Sequence, residues 1–269
     1  TAESFIETGN SDIASTDKSG LVTTARRGEA PMLARFEGAY ASTIVTVMGD
    51  RSGFEWKDMP TNNKVDEFVA DKLKRTKTLP SEIASDEEFL RRIHLDLTGL
   101  PPSPRLSKRL AKSPGSYPAI VDELLAAPQF GERLASYWLD LVRYADTVGY
   151  HGDQDHAITP YRDWVIKAFN NNLPFDRFTA AQLAGDLLPG STVNDKIASG
   201  YNRLLQTSHE GGVQQKEYLA KYSADRVRNV STAWLGATVG CSECHAHKYD
   251  PFSQRDFYSL AAFFADVAD

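Results

Sequence analysis

Both cysteines and two of the six histidines of this 269-residue chain stand in one stretch, Gly240-Cys241-Ser242-Glu243-Cys244-His245-Ala246-His247-Lys248-Tyr249-Asp250-Pro251. The spacing Cys-x-x-Cys-His suits covalent attachment of a c-type haem. Each thiol adds across a vinyl group of the porphyrin, and the histidine that follows stands beneath the iron as proximal ligand. Three other chemistries compete for the same residues. A disulfide between Cys241 and Cys244 closes too short a loop to constrain a domain of this size. A structural zinc site would need Cys241, Cys244, His245 and His247 to surround one ion from within seven residues, whereas such sites draw ligand pairs from separate segments. A thioredoxin-like pair belongs at the end of a strand, and the residues before Cys241 read as helical. Covalent haem, with His245 on iron, is the reading that fits best.

The sixth position on the iron then decides the chemistry, since carriers close it with Met or His and enzymes leave it open. Met32, Met48 and Met59 all fall early in the chain, which argues against a Met ligand. His247 follows the proximal histidine too closely to reach the opposite face of the same iron, and suits a propionate, the backbone or a second site instead. His94 reads as a packing histidine. His151 and His156 lie in a polar loop, Gly149-Tyr150-His151-Gly152-Asp153-Gln154-Asp155-His156, and His151 and His209 are the candidate distal ligands. Arg143, Arg162 and Arg226 have the forked donors that suit haem propionates. Glu210 and Asp225 are candidate acids or bases on the distal side, and Tyr144 a hydrogen-bond donor or radical site. Asp146, Asp153 and Asp155 form an acidic cluster without the spacing of a calcium loop.

The elements that must hold these residues are mostly helical. From Asn63 onward apolar residues recur at helical period, beginning with Val65, Phe68, Val69 and Leu73. Ser85 caps a helix that breaks at Gly99-Leu100-Pro101-Pro102, and further helices are predicted over 117–127, 129–146, 160–171, 175–188, 194–204 and 213–237. Residues 1–50 have a different texture, with short β-rich runs between turn residues, and the first linker residues follow Gly49, giving a linker over 51–62 and a helical domain over 63–269. The runs Ile13-Ala14-Ser15, Gly20-Leu21-Val22-Thr23, Gly28-Glu29-Ala30 and Val45-Thr46-Val47 resemble the latter half of a bacterial Ig-like module, a small partial β-sandwich read as a spacer.

Composition is that of a globular chain, 41% hydrophobic and 25% charged. A net charge of −6 and the lack of long basic runs exclude a polyanion binder, so nucleic acid is not expected as a partner. No apolar run is long enough for a membrane span. Haem attachment by thioether places the product in the periplasm or outside the cell, with an export signal removed from the N-terminus. The apolar pattern Phe257, Leu260, Ala261, Phe264 runs to the last residues without a stop signal, so a downstream domain is expected.

A series of segments carries a family resemblance. Leu95-Asp96-Leu97-Thr98-Gly99-Leu100-Pro101-Pro102, Arg143-Tyr144-Ala145-Asp146, Tyr161-Arg162-Asp163-Trp164-Val165, Leu173-Pro174-Phe175-Asp176, Gln182-Leu183-Ala184-Gly185-Asp186-Leu187-Leu188-Pro189, Glu210-Gly211-Gly212, Asp225-Arg226-Val227, Trp234-Leu235-Gly236 and the cysteine motif follow in that order. Together they resemble the cytochrome-c-like domain family abundant in planctomycetes, over residues 63–269. The resemblance implies an exported c-type haem protein, often joined to further domains. His209 departs from it, because the family more often carries Glu or another residue there. The matched segments supply Tyr144, Arg162, Glu210, Asp225 and Arg226 and no well-placed second histidine, which favours an open or weakly held distal site. The expected function is electron transfer to a redox partner by a mainly α haem domain. Two alternatives stand beside it: a haem enzyme oxidising a polysaccharide-related or other small substrate, and a non-redox surface module with a structural zinc.

Overall fold

Strand and helix signals sort the chain into two compact units in a computed structural model, Thr1–Ile83 and Ala84–Asp269. The structure describes residues 4–106, 108, 116–150, 152–208 and 210–267. In the first unit β1 (Phe5–Thr8), β4 (Gly28–Phe36) and β5 (Ala39–Val47) form an antiparallel sheet in the order β1-β4-β5, and β2 (Ala14–Thr16) pairs with β3 (Val22–Thr24) as a separate hairpin. The β4–β5 hairpin pairs Phe36 with Ala39 across Glu37 and Gly38, both at positive φ, the two-residue turn whose twist matches that of the strands. Between β2 and β3, Asp17 Oδ1 accepts the Ser19 and Leu21 N–H at 2.8 and 3.0 Å. The small core is Ile13, Ala14, Ala30 and Met32, flanked by Ile6, Val45 and Val47.

Helix α1 (Lys64–Arg75) is capped by Asn63, whose side chain accepts the Val65 and Asp66 N–H. It belongs to the first unit: Lys72 pairs with Glu29 of β4, and Arg27 reaches Thr78 just beyond the helix at 2.8 Å. The stripe expected to pack does not, since Val65, Phe68 and Val69 are exposed. Amphipathic spacing specifies a face and leaves open what covers it.

The second unit is helical. Helix α2 (Asp86–Thr98) starts at the Ser85 cap and stops at Gly99, which adopts the left-handed conformation. It packs on α3 (Tyr117–Leu125) through Leu90, Ile120 and Leu124. Helices α4 (Pro128–Leu141) and α5 (Thr159–Asn170) cross closely at Gly131, where an added Cβ would come within 2.4 Å of the Ile166 carbonyl oxygen. Helix α6 (Phe175–Ala184), short α7 (Val193–Ala198) and a 3-10 turn, Ser199–Arg203, complete that layer. The long helix α8 (Gln215–Val230) and α9 (Gln254–Ala262) close the unit. The core holds Trp138, Val142, Tyr161, Val165, Phe178 and Tyr201. Its buried Gln182 joins three elements: Oε1 accepts from Trp138 Nε1 at 2.9 Å and Tyr161 Oη at 2.6 Å, and Nε2 donates to the Phe178 carbonyl. No helix among the described residues is long and apolar enough to cross a membrane.

Several helices end earlier than periodicity predicts. The pattern over 129–146 stops at Leu141, because Arg143 takes a positive φ of 63° and turns the chain out of the helix. The pattern over 213–237 is α-helical only to Val230. A π-helical turn, Ser231–Leu235, follows, and left-handed Gly236 ends it. The patterns over 175–188 and 194–204 each break into an α-helix and a 3-10 turn. Apolar periodicity persists through such changes of winding, so spacing alone does not reveal them.

Candidate functional site

The cysteine motif occupies a 3-10 turn, Val239–Glu243, and the loop after it, held between α8 and α9. Val239 is buried with Ala224 and Val227 of α8 and Phe257 of α9. Ser242, between the cysteines, is fully buried and donates to the Phe252 carbonyl at 3.2 Å. Glu243 pairs with Arg228 of α8, and its carbonyl accepts from Gln254 Nε2 at 3.2 Å and Tyr258 Oη at 3.1 Å. Gly240 lets Arg228 lie close, since an added Cβ would sit 3.2 Å from Arg228 Cγ. Every third residue, Val239 and Ser242, thus faces inward, and the reactive ones face out. Cys241 and Cys244 are free thiols, both exposed, and the exposed His245 ring bonds only its neighbour, the Ala246 carbonyl, at 2.8 Å.

His247 has a different task. Its backbone N–H donates to the Phe252 carbonyl at 2.7 Å, and its Nδ1 accepts the Asp250 N–H at 2.9 Å and the Tyr249 N–H at 3.3 Å. The ring braces the Lys248–Pro251 loop against the turn. Helix α9 starts just beyond, at a capping box in which Ser253 and Asp256 exchange bonds; the Ser253 hydroxyl and N–H hold the Asp256 carboxyl below its ordinary value.

A second place gathers functional side chains. A cleft of about 510 Å³ lies between the loop after α4, the segment 203–206 and Asp225 of α8, and its lining includes Arg143, Val148, His156, Arg203, Leu204 and Leu205. Arg143 pairs with Asp225 and donates to the Leu204 carbonyl at 3.1 Å. The loop that carries Arg143 is braced throughout: His156 N–H to the Asp146 carbonyl at 2.7 Å, Val148 N–H to Gln154 at 3.0 Å, and Gly149 N–H to Asp153 Oδ1 at 2.9 Å. Arg143, Tyr150 and Asp153 in this one loop take positive φ, a local strain that the surrounding bonds must offset.

The remaining sequence candidates are dispersed. Tyr144 donates to Asp146 at 2.6 Å; burial first, and then that carboxylate, push its phenol above the ordinary range, so it stays a donor at neutral pH. Arg162 pairs with its neighbour Asp163 on the surface of α5. Buried Arg226 donates from Nε to the Asn202 carbonyl at 3.2 Å. Glu210 is exposed. Of Tyr144, Arg162, Glu210 and Asp225, only Asp225 lines the cleft. His94 is buried in α2. His151 and His209 lie outside the described residues. Among the described residues no three His, Cys, Asp or Glu side chains gather to hold a metal ion, so neither the zinc arrangement nor the Asp146, Asp153, Asp155 cluster is assembled. Sequence reasoning passed over Arg228 and Ser242, which hold the turn, and Arg203, which faces the cleft; only the placing of Ser242 inside the motif offered a signal.

The turn's residues fit a covalently held haem. Two free, exposed thiols and an exposed imidazole stand on one anchored turn, and each thiol can add to a vinyl group without displacing a buried contact.

The family model described as "PSCyt2: Protein of unknown function (DUF1549)" matches residues 64–269, and the chain belongs to that family. No curated protein and no solved structure matches the chain. The resemblance to a cytochrome-c-like family is corrected accordingly: the family shown is one of unknown function, and family membership supplies no haem role. The match begins at residue 64 and covers none of the strands, so it gives the Ig-like resemblance of residues 1–50 no footing either. Two residues of the matched segments, Gln182 and Gly185, serve packing. Gln182 ties three core elements together, and a Cβ on Gly185 would lie 2.1 Å from the Asp195 carbonyl oxygen.

Proposed function

We propose that this member of the family carries one covalently attached haem, Cys241 and Cys244 forming the thioethers and His245 the proximal bond to iron, and that it acts in electron transfer outside the cytoplasm. The observation that carries the reading is the turn itself, whose buried positions are filled by Val239 and Ser242 while both thiols and the His245 ring are presented together at the surface. Cys241 and Cys244 each add S–H across a vinyl group, so atoms balance with no leaving group and no net oxidation. Haem bound there supplies one-electron chemistry at iron. His245 stays free to turn toward iron because only a neighbouring carbonyl holds it. Exposed Leu235, Tyr249, Tyr258 and Phe263, on the segments flanking the turn, are the apolar surface this chain offers a porphyrin. His247, with Nδ1 engaged by the backbone, orients the loop. The sixth position is read as open or weakly held.

The chain, produced with an export signal in a host that matures c-type cytochromes, should keep its haem through acid-acetone extraction. Cys241→Ser/Cys244→Ser should lose all covalent haem while keeping its helical circular dichroism. Colour that extracts freely, or a chain that takes up no haem, overturns the proposal.

A further inference from the structure

Trp and Tyr rings touch in series through the core of the helical unit. Trp234, half-buried in the π-helical turn that leads into the cysteine turn, meets the Trp138 ring edge-on at a centroid distance of 5.1 Å. Trp138 Nε1 donates to Tyr161 Oη at 3.2 Å, and the Tyr161 ring lies 6.5 Å from that of Tyr144, within 18° of parallel. Tyr144 is half-buried on the segment after α4, so the series begins and ends at rings that solvent reaches. Leu260 of α9 packs both on this core and on the cluster that holds Val239 of the cysteine turn. Indole and phenol rings give up one electron where aliphatic side chains do not, and tunnelling weakens steeply with distance, so rings in contact are the route an electron vacancy takes.

Hydrogen-bond partners decide where the vacancy rests. An oxidised phenol is a strong acid and settles as a neutral radical only where a base takes its proton; a carboxylate is such a base and an amide oxygen is not. Tyr161 donates to the Gln182 amide oxygen at 2.6 Å, and Tyr201, edge-on to Trp234 at 4.9 Å, donates to the Asn229 amide oxygen at 2.7 Å. Tyr144 instead donates to the Asp146 carboxylate at 2.6 Å. Asp146 is exposed, so a proton received there passes on to water.

We propose that Trp234, Trp138 and Tyr161 relay one-electron oxidation from the cysteine turn to Tyr144, which holds it as a neutral tyrosyl radical with its proton on Asp146. The oxidant is a metal complex seated at the cysteine turn and short of one electron. No particular metal is needed, so the relay rests on the aromatic series and not on the haem reading. In balance, the complex gains one electron, the Tyr144 O–H bond breaks, its proton forms an O–H bond on the Asp146 carboxylate, and its electron fills the vacancy passed along the rings. Trp234, Trp138 and Tyr161 are each oxidised and reduced again in turn and end unchanged.

A photochemical oxidant fixed at the turn tests this. In the full chain with Cys241→Ser, a ruthenium(II) polypyridyl complex bearing an iodoacetamide is attached to Cys244, and light with pentaamminechlorocobalt(III) as irreversible electron acceptor leaves ruthenium(III) at the turn. Electron paramagnetic resonance after rapid freezing should show a tyrosyl radical whose signal is lost in Tyr144→Phe. Trp138→Phe and Trp234→Phe, each checked for helical circular dichroism, should lose the same signal with ruthenium emission unchanged. Asp146→Asn, at an exposed position, keeps a hydrogen-bond acceptor but removes the base, and should shift the signal from tyrosyl to tryptophanyl. A tyrosyl signal that Tyr144→Phe leaves intact puts the radical on exposed Tyr249 or Tyr258 beside the label and overturns the site, as does the lack of any tyrosyl signal. A Tyr144 signal that survives both tryptophan changes overturns the relay, and one that survives Asp146→Asn overturns the carboxylate as the proton's acceptor.

Discussion

Helix α8 serves two regions within one turn of its length. Ala224, Val227 and Arg228 meet the cysteine turn, and Asp225 meets the cleft. The four steps from Ala224 to Arg228 rise about 6 Å, so the two regions are neighbours on one rigid rod. They are built in opposite ways. The cysteine turn takes its reactive groups from five consecutive residues, and its partners only hold it in place. The cleft takes its groups from a strained loop, a 3-10 turn and a helix, and none of these segments contains a site by itself. A local site tolerates changes in the distant core; a site assembled from afar inherits every change in the packing between its parts.

Gln182→Leu should separate the two most strongly. The substitution leaves the buried Tyr161 hydroxyl without its acceptor, while Trp138 Nε1 keeps Tyr161 Oη at 3.2 Å, a loss of about 1–3 kcal/mol in urea unfolding. Tyr201 of the Ser199–Arg203 turn packs in the same core, so hydrogen exchange around Arg203 should rise while the rate of thiol labelling at Cys241 and Cys244 stays unchanged. Labelling that quickens in parallel would show the turn to depend on the same core.

Ser253→Ala is the converse change. Loss of this N-cap should cost about 1 kcal/mol and loosen α9 beneath the turn. Hydrogen exchange should rise over 240–257 and stay unchanged around Arg143 and Arg203; protection lost equally there would erase the distinction.

Acid should affect both regions alike, with the smallest effect of the three. Burial holds the His94 imidazole below its ordinary value of 6.5, against a weaker opposing pull from Glu123. The unfolded chain takes up a proton near 6.5 and the folded chain does not, so stability falls as pH drops through that value toward the folded one, and is untouched by His94 well above it. His94 is buried in α2, which contributes no residue to the cleft lining or to the turn. Urea midpoints at pH 7.5 and 5.5 should therefore differ by the same amount for probes of the turn and of the cleft, and His94→Leu should remove much of that difference.

The sequence by itself determined the chemistry of the turn, the change from strand to helix period, the caps at Asn63 and Ser85, and the stop at Gly99, because each depends on neighbours a few residues apart. It also placed Arg143, Asp225 and His156 among residues of interest without saying that Arg143 and Asp225 pair or that all three line one cavity. Tertiary structure decided what contact between distant segments must decide. It left Val65, Phe68 and Val69 of α1 uncovered, wound the end of α8 into a π turn, and turned His247 onto the backbone of its own loop. It brought Arg203 to within one cleft of Asp225 and left Asp225 Oδ2 without a donor. Periodicity and motif spacing record short-range geometry, and the meeting of residues 143, 203 and 225 depends on how whole helices pack, which no local pattern encodes.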